Sequence, residues 1–332
     1  MKCRCLLVLD EVFFPQLFGS DELERLRRRV GLSGPFSADD LAREPGESLA
    51  DVELILSSWG MPRLDADLLD RLPRLRAVFY AAGTVKPIVT DEFWARGLRI
   101  TSAARENARP TAEFAFAEII LSLKRAWPRL FALREGRRYQ QADDLAPGCF
   151  GSTVGLISLG KIGRLVAQRL ASLDVHVVAW DPHVSAESAS RLGVELVPLP
   201  EVFARAHVVS CHTPLTSETS GFLDGSLFER MRPGATFINT ARGGLVREPD
   251  LLSVLRARPD LFAVLDVTEQ EPPPPDSAWF TLPNVVLTPH IAGSTGPECR
   301  RLGRMMVDEI ERFLRNEPLL GEVLEDELST LA

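Results

Sequence analysis

Short apolar runs rich in Val, Ile, Leu and Phe recur down this chain, with helical stretches between them. Strands separated by helices cannot pair as hairpins. Each must cross over to a parallel neighbour, and the crossover helices then cover the faces of the sheet. Cys5–Asp10, Val52–Trp59, Arg76–Ala82 and Leu98–Ser102 read as strands, with helices over Asp21–Val30 and Asp65–Leu72. Thr111–Leu130 reads as one long helix, because Ala112, Phe116, Ile119, Ile120 and Leu123 recur at helical spacing; Pro128 should kink or end it. Residues 134–151 are polar, carry Gly136, Pro147, Gly148 and Gly151, and read as a loop. A second alternating block follows, with strands at Val154–Leu159, Val175–Trp180, His207–His212, Thr236–Asn239, Phe262–Val267 and Val285–Thr288. A helix is expected over Ile162–Leu173 and another near Pro297–Asn316. The fold class is therefore α/β with two doubly wound domains, which 332 residues at 45% hydrophobic content can supply with two cores.

The second block opens on Gly155-Leu-Ile-Ser158-Leu-Gly160-Lys161-Ile162-Gly163. A glycine-rich turn between a strand and a helix lets backbone amides approach a pyrophosphate at the helix N-terminus. The first glycine of the usual triplet is replaced by Ser158. Gly160, which permits close approach, and Gly163, which permits tight helix–strand packing, are intact. The next strand ends in Asp181, where a carboxylate accepts from ribose hydroxyls and repels a 2′-phosphate. Pro182 and His183 follow it, with no arginine, so NAD is expected over NADP.

Three later segments each follow a strand: Asn239-Thr240-Ala241-Arg242-Gly243-Gly244, then Asp266-Val-Thr-Glu269-Gln-Glu271-Pro272, then Pro289-His290-Ile-Ala-Gly293. They should emerge together at the carboxyl edge of one sheet, where open α/β folds bind ligands. An imidazole there suits proton transfer, a neighbouring carboxylate can orient it, and an arginine can grip a carboxylate substrate in two places. Singly, each has an ordinary alternative: an ion-paired arginine, a solvated loop acid, a packed histidine. Their shared edge and order argue against all three alternatives at once.

This order of motifs resembles the D-isomer-specific 2-hydroxyacid dehydrogenase family, in the style of glyoxylate/hydroxypyruvate reductases and phosphoglycerate dehydrogenases. The likeness includes Pro110-Thr-Ala-Glu113 and His212-Thr213-Pro214-Leu-Thr216, and is weakest in the first seventy or so residues. It implies an NAD(H)-dependent oxidoreductase interconverting a D-2-hydroxy acid and its 2-oxo acid, with His290 as acid/base, Glu271 as its partner and Arg242 on the substrate carboxylate. It implies cofactor contacts from Gly160, Lys161, Ile162, Gly163, Asp181, His212, Thr213, Pro214, Thr219, Thr240, Ala241, Asp266 (to the nicotinamide carboxamide) and Gly293. Substrate contacts would come from Trp59, Ala82, Gly83, Thr84, Arg242 and His290. A Rossmann nucleotide-binding domain, residues 104–295, would be inserted into a flavodoxin-like substrate domain, residues 1–103 and 296–332. Linking helices near 104–130 and 297–316 would form a hinge. A homodimer would form through the nucleotide domain, using the 111–130 helix and an extended 131–150 arm. One loop departs from the family pattern: Ala82-Gly83-Thr84-Val85-Lys86 ends in a cation where the family has an acid, and Lys86 is read as pointing to solvent, the alternative being a cation that favours an anionic substrate.

Composition narrows the partners. A formal net charge of −8 gives no broad attraction to nucleic acid or to anionic lipid. Arg25–Arg29 stand beside Asp21, Glu22 and Glu24 as a mixed helix face. Five scattered cysteines do not read as a disulfide framework, and Cys3 and Cys5 alternate along a strand without a second ligand pair, so no metal site is expected. No apolar run reaches the length of a signal core or a membrane span, and a cytoplasmic protein is expected. Two other readings stay open: a non-catalytic NAD(H)-sensing protein like the corepressors of this fold, and a phosphite dehydrogenase-like enzyme. A formate dehydrogenase ranks low, since that group carries glutamine where Glu271 stands.

Overall fold

The computed structural model describes residues 2–136, 139 and 145–328. The chain divides into two compact units, Met1–Asn107 with Ser294–Leu331, and Ala108–Gly293. The expected cuts lay at 103/104 and 295/296.

The first unit holds β1 (Arg4–Val8), β2 (Gly31–Phe36), β3 (Leu54–Ser57), β4 (Ala77–Tyr80), β5 (Arg99–Ser102) and β13 (Glu322–Val323) in the order β13-β5-β4-β3-β1-β2. All pairs are parallel except β13 with β5. Both faces are buried, as crossover helices require. Leu7, Leu54, Leu56 and Phe79 face one core with α1 (Ser20–Arg29) and the C-terminal Cys299–Leu314 helix. Leu6, Val8, Ile55, Val78 and Ile100 face the other.

The second unit holds β6 (Ser152–Ile157), β7 (Val175–Trp180), β8 (Val194–Leu196), β9 (Val208–Cys211), β10 (Thr236–Asn239), β11 (Phe262–Leu265) and β12 (Val285–Leu287). Their order, β12-β11-β10-β9-β6-β7-β8, is wholly parallel. Strand order reverses between β6 and β9, the point where doubly wound sheets open a crevice for a ligand. The α/β class with two parallel-sheet units is as expected from the alternating pattern.

Three strands escape the sequence pattern. β2 contains Gly34 and Pro35, and its pairing with β1 shifts register between Leu6 and Val8. It is an edge strand, where a proline is tolerated because one side of the backbone needs no partner. β8 and β13 are short edge strands with too few residues to show a period. The expected Thr111–Leu130 helix is two helices, α2 (Ala104–Leu123) and α3 (Ala126–Gly136). The break falls at Arg125, with φ +50°, and not at Pro128. Pro128 lies in the first turn of α3, where a backbone N–H has no helical partner to lose. The Arg125 guanidinium donates to Gly234 O at 2.8 Å and closes the corner. The expected 134–151 loop therefore starts later, because 134–136 belong to α3. Residues 137–138 and 140–144 of that loop lie outside the described residues.

Candidate active site

Register brings the site together. Trp180, Ile157, Cys211, Asn239, Leu265 and Leu287 are successive partners across β7, β6, β9, β10, β11 and β12. The residues just beyond this row leave the sheet at one edge: Ser158, Asp181, His212, Thr240, Asp266 and Thr288. Arg242, Glu271 and His290 lie a few residues further along the same exits.

His290 Nδ1 lies 2.7 Å from Glu271 Oε2. With that carboxylate as acceptor, Nδ1 carries a proton and Nε2 is left to face a reacting group. The His290 side chain is 50% exposed, so its proton can exchange with solvent. Its backbone is left-handed, at φ +54°, which is uncommon for a residue other than glycine. Buried Asp266 holds that conformation. Its Oδ1 accepts from Thr288 Oγ1 at 2.5 Å and from Ile291 N at 2.9 Å, and its Oδ2 accepts from Ala292 N at 2.8 Å. His290 N donates to Asp266 O at 2.9 Å. Most of the accepting capacity of Asp266 thus serves the His290 turn, a role the motif by itself does not reveal.

Arg242 is half-buried, and its Nη1 donates to Ala241 O at 2.6 Å. Burial pulls its pKa below the usual guanidinium value, while the Glu271 carboxylate opposes that shift. A cation in poor solvent gains from an anionic partner, and its fork matches a carboxylate. Asn239, which sequence reasoning did not single out, shapes this turn. Its Nδ2 donates to Arg242 O at 2.9 Å and its Oδ1 accepts from Ala241 N at 3.0 Å. Asn239 sits within the quoted motif, but only the fold shows that its side chain closes the loop.

The glycine turn fits a pyrophosphate. A methyl group on Gly160 would meet nothing within 4 Å, so open space lies over the helix entry at Lys161, Ile162 and Gly163. A methyl on Gly163 would sit 2.1 Å from Ser158 O, so the helix packs directly on the turn. Ser158 adopts φ +77°, the conformation a glycine takes there, and its hydroxyl pairs with Thr213 Oγ1 at 2.9 Å. Asp181 accepts from Leu159 N at 2.7 Å and from His183 N at 2.8 Å, and each oxygen keeps a lone pair. Both ring nitrogens of buried His212 and the Thr240 hydroxyl have no hydrogen-bond partner among the described residues, and polar groups buried in this way ask for a ligand. Burial pushes the His212 pKa down to about 4, so the ring is neutral at pH 7. The Thr219 hydroxyl is committed elsewhere: it donates to Pro214 O at 2.7 Å and accepts from Thr216 N at 2.8 Å. Pro214 and Thr219 thus belong to one tied turn. Ala241 is buried beside Thr240, and Gly293 ends the second unit.

Gly163→Ala should lower NADH affinity at least tenfold, because the methyl collides with backbone. Gly160→Ala should leave folding intact while weakening NADH through lost approach. Isothermal titration with thermal melts checks both; equal affinities in all three proteins would refute the phosphate-turn assignment.

Of the expected substrate contacts, Arg242 and His290 lie in the second unit, and Trp59, Ala82, Gly83 and Thr84 in the first. Trp59 packs against Phe13 in a tilted arrangement with ring centroids 4.9 Å apart, and joins the packing around that unit's cores. Ala82, Gly83 and Thr84 follow β4, and the carbonyls of Ala82 and Gly83 accept from Ser102 Oγ. Lys86 is half-buried.

Comparison with known proteins shows the family and the fold. Residues 117–292 match the model of the D-isomer specific 2-hydroxyacid dehydrogenase NAD binding domain. A D-3-phosphoglycerate dehydrogenase from Mycobacterium bovis is 36% identical over 268 residues, 81% of this chain and 50% of that protein. The chain thus spans about half the length of the phosphoglycerate dehydrogenases it matches first. A glyoxylate reductase from Korarchaeum cryptofilum is 31% identical over 274 residues, 82% of each chain. The structure of D-mandelate dehydrogenase from Rhodotorula graminis shares the fold with a TM-score of 0.82 at 23% identity, covering 97% of this chain and 98% of that one. The chain belongs to the D-isomer specific 2-hydroxyacid dehydrogenase family and carries its NAD-binding domain.

Proposed function

We propose that this protein interconverts a D-2-hydroxy acid and its 2-oxo acid with NAD(H). The observation that carries the reading is the 2.7 Å His290–Glu271 pair, set at one sheet edge with a half-buried Arg242. NADH, when bound, supplies the hydride for C2 of the oxo acid. Arg242 binds the substrate carboxylate and orients C2. His290, with its Nδ1 proton held by Glu271, donates a proton from Nε2 to the substrate oxygen in reduction and accepts it in oxidation. Gly160, Lys161, Ile162 and Gly163 take the pyrophosphate, Asp181 the adenosine ribose, and His212, Thr213, Thr240 and Asp266 line the remaining cofactor contacts. To Trp59, Ala82, Gly83 and Thr84 we assign the choice among 2-oxo acids.

Assembly and location belong to the same proposal. Phe150 is 88% exposed in the NAD-binding unit, and Leu133 is exposed as well; they support a homodimer through that unit. The five cysteines are free, which supports the cytoplasm. Among the described residues, no helix is long and apolar enough to cross a membrane.

The deciding experiment follows NADH oxidation with glyoxylate, hydroxypyruvate, pyruvate, phenylpyruvate and a phosphorylated 2-oxo acid. Turnover of at least one is expected, with NADH preferred over NADPH tenfold or more through Asp181. Inertness toward the whole panel would remove the reading, and a preference for NADPH would remove the role of Asp181.

A further inference from the structure

Glu271 stands on a segment that needs an anchor. Thr268 N donates to Glu271 Oε1 at 3.2 Å, and Thr268 Oγ1 donates to Gln270 O at 2.6 Å, so the turn is folded on itself. Its backbone is tied outward through Glu269 N, which donates to Glu248 Oε1 at 2.6 Å. The other oxygen of Glu248 accepts from the indole Nε1 of Trp279 at 3.1 Å. Trp279 is 4% exposed and packed in the core, so Glu248 is held at one oxygen by a donor that cannot move freely and offers the other to the turn. Glu248 opens the Glu248–Ala257 helix, which directly follows the Arg242 turn. Between them, Gly243 lies against the backbone of Thr268 and Glu269. One carboxylate therefore joins the segment carrying Arg242 to the segment carrying Glu271.

We propose that Glu248 is a positioning residue. It fixes where Glu271 meets His290, and so sets the ring orientation from which the proton moves. This inference rests on the proposed His290 chemistry. Without Glu248 the Glu269 N–H and the Trp279 N–H lose their acceptor together, and the turn is free to carry Glu271 away from Nδ1. Glutamine keeps a carbonyl for Glu269 but turns an amide N–H toward the Trp279 donor, so E248Q is strained where E248A is loose. Phenylalanine at 279 removes that opposition.

The test uses the full chain labelled with ¹⁵N-histidine, in wild type, E271A, E248A, E248Q and E248Q/W279F. E271A should change the tautomer signature of His290. E248A should move it the same way, speed amide exchange over 268–271, and lower kcat tenfold or more with the Kd for NADH within twofold. E248Q should lose about threefold to tenfold in kcat, and E248Q/W279F should recover to within threefold of wild type. The shift of the His290 signature in E248A is the readout that a merely structural carboxylate would not move. A wild-type His290 signature in E248A beside a shifted one in E271A would overturn the proposal and leave the reaction reading intact. An unshifted signature in E271A, or a wild type inert toward every 2-oxo acid, would overturn the reaction reading itself.

Discussion

Replacing His290 with asparagine should lower kcat for 2-oxo acid reduction by about 10²- to 10⁴-fold, the contribution typical of a positioned general acid. Asparagine is the more informative variant because His290 occupies the left-handed region at φ +54°. Asparagine visits that region readily and alanine does not, so His290→Asn keeps the turn that Asp266 holds while removing the titrating ring. The Kd for NADH should stay within about twofold, because the glycine turn and Asp181 leave the sheet from other strands. His290→Ala should show the same loss of kcat with an added stability cost, since alanine must be forced into that backbone conformation. Stopped-flow reduction with a saturating 2-oxo acid, beside fluorescence titration of NADH, separates the two effects. A kcat within threefold of wild type for His290→Asn would leave the reaction without its acid and refute the assignment.

Gly243→Ala should be the most damaging single methyl in the NAD-binding unit. The added carbon would stand 1.9 Å from Thr268 C, 2.1 Å from Thr268 O and 2.3 Å from Glu269 N. These are backbone atoms, so no rotamer change relieves the overlap, and the 268–271 turn must shift away from the Arg242 turn. Overpacking of a closed site costs about 1–3 kcal/mol and occasionally more. A displacement of even an ångström between Arg242 and Glu271 is enough to cost about a hundredfold in rate. The expected result is a protein that folds with a lowered melting temperature, binds NADH, and turns over at least tenfold more slowly. For stability alone, Gly160→Ala is the steric control, since its methyl meets nothing within 4 Å. Equal stability and kcat for Gly243→Ala and wild type would mean the two turns are not coupled in solution.

The same two positions show how far a sequence reaches. His290 was legible because three motifs in fixed order follow three strands, and order along the chain is what a string of letters preserves. Gly243 was legible only as part of a motif. Its close approach to Thr268 joins residues 25 positions apart, and no local pattern encodes that distance (268 minus 243). Glu248 is a similar case. On a helix it reads as a first-turn acid that suits the helix dipole, and its partners Glu269 and Trp279 come from elsewhere in the chain.

Local periodicity likewise determined the two α/β blocks, the glycine turn and the acid at the end of β7, because pleat, helix pitch and turn chemistry act over a few residues. It did not determine β2, β8 and β13, which are edge strands whose existence depends on a neighbour to pair with. Nor did it place the helix break, because Pro128 is the stronger local signal. The break at Arg125 is instead set by a guanidinium reaching Gly234 across the fold. What the sequence determined by itself is the class of sheet and the set of chemical groups at its edge. The tertiary structure decided their register, the left-handed turn under His290, and which carboxylates hold the others in place. Those depend on backbone atoms meeting across distant segments, where steric exclusion and hydrogen-bond geometry, not local propensity, set the outcome.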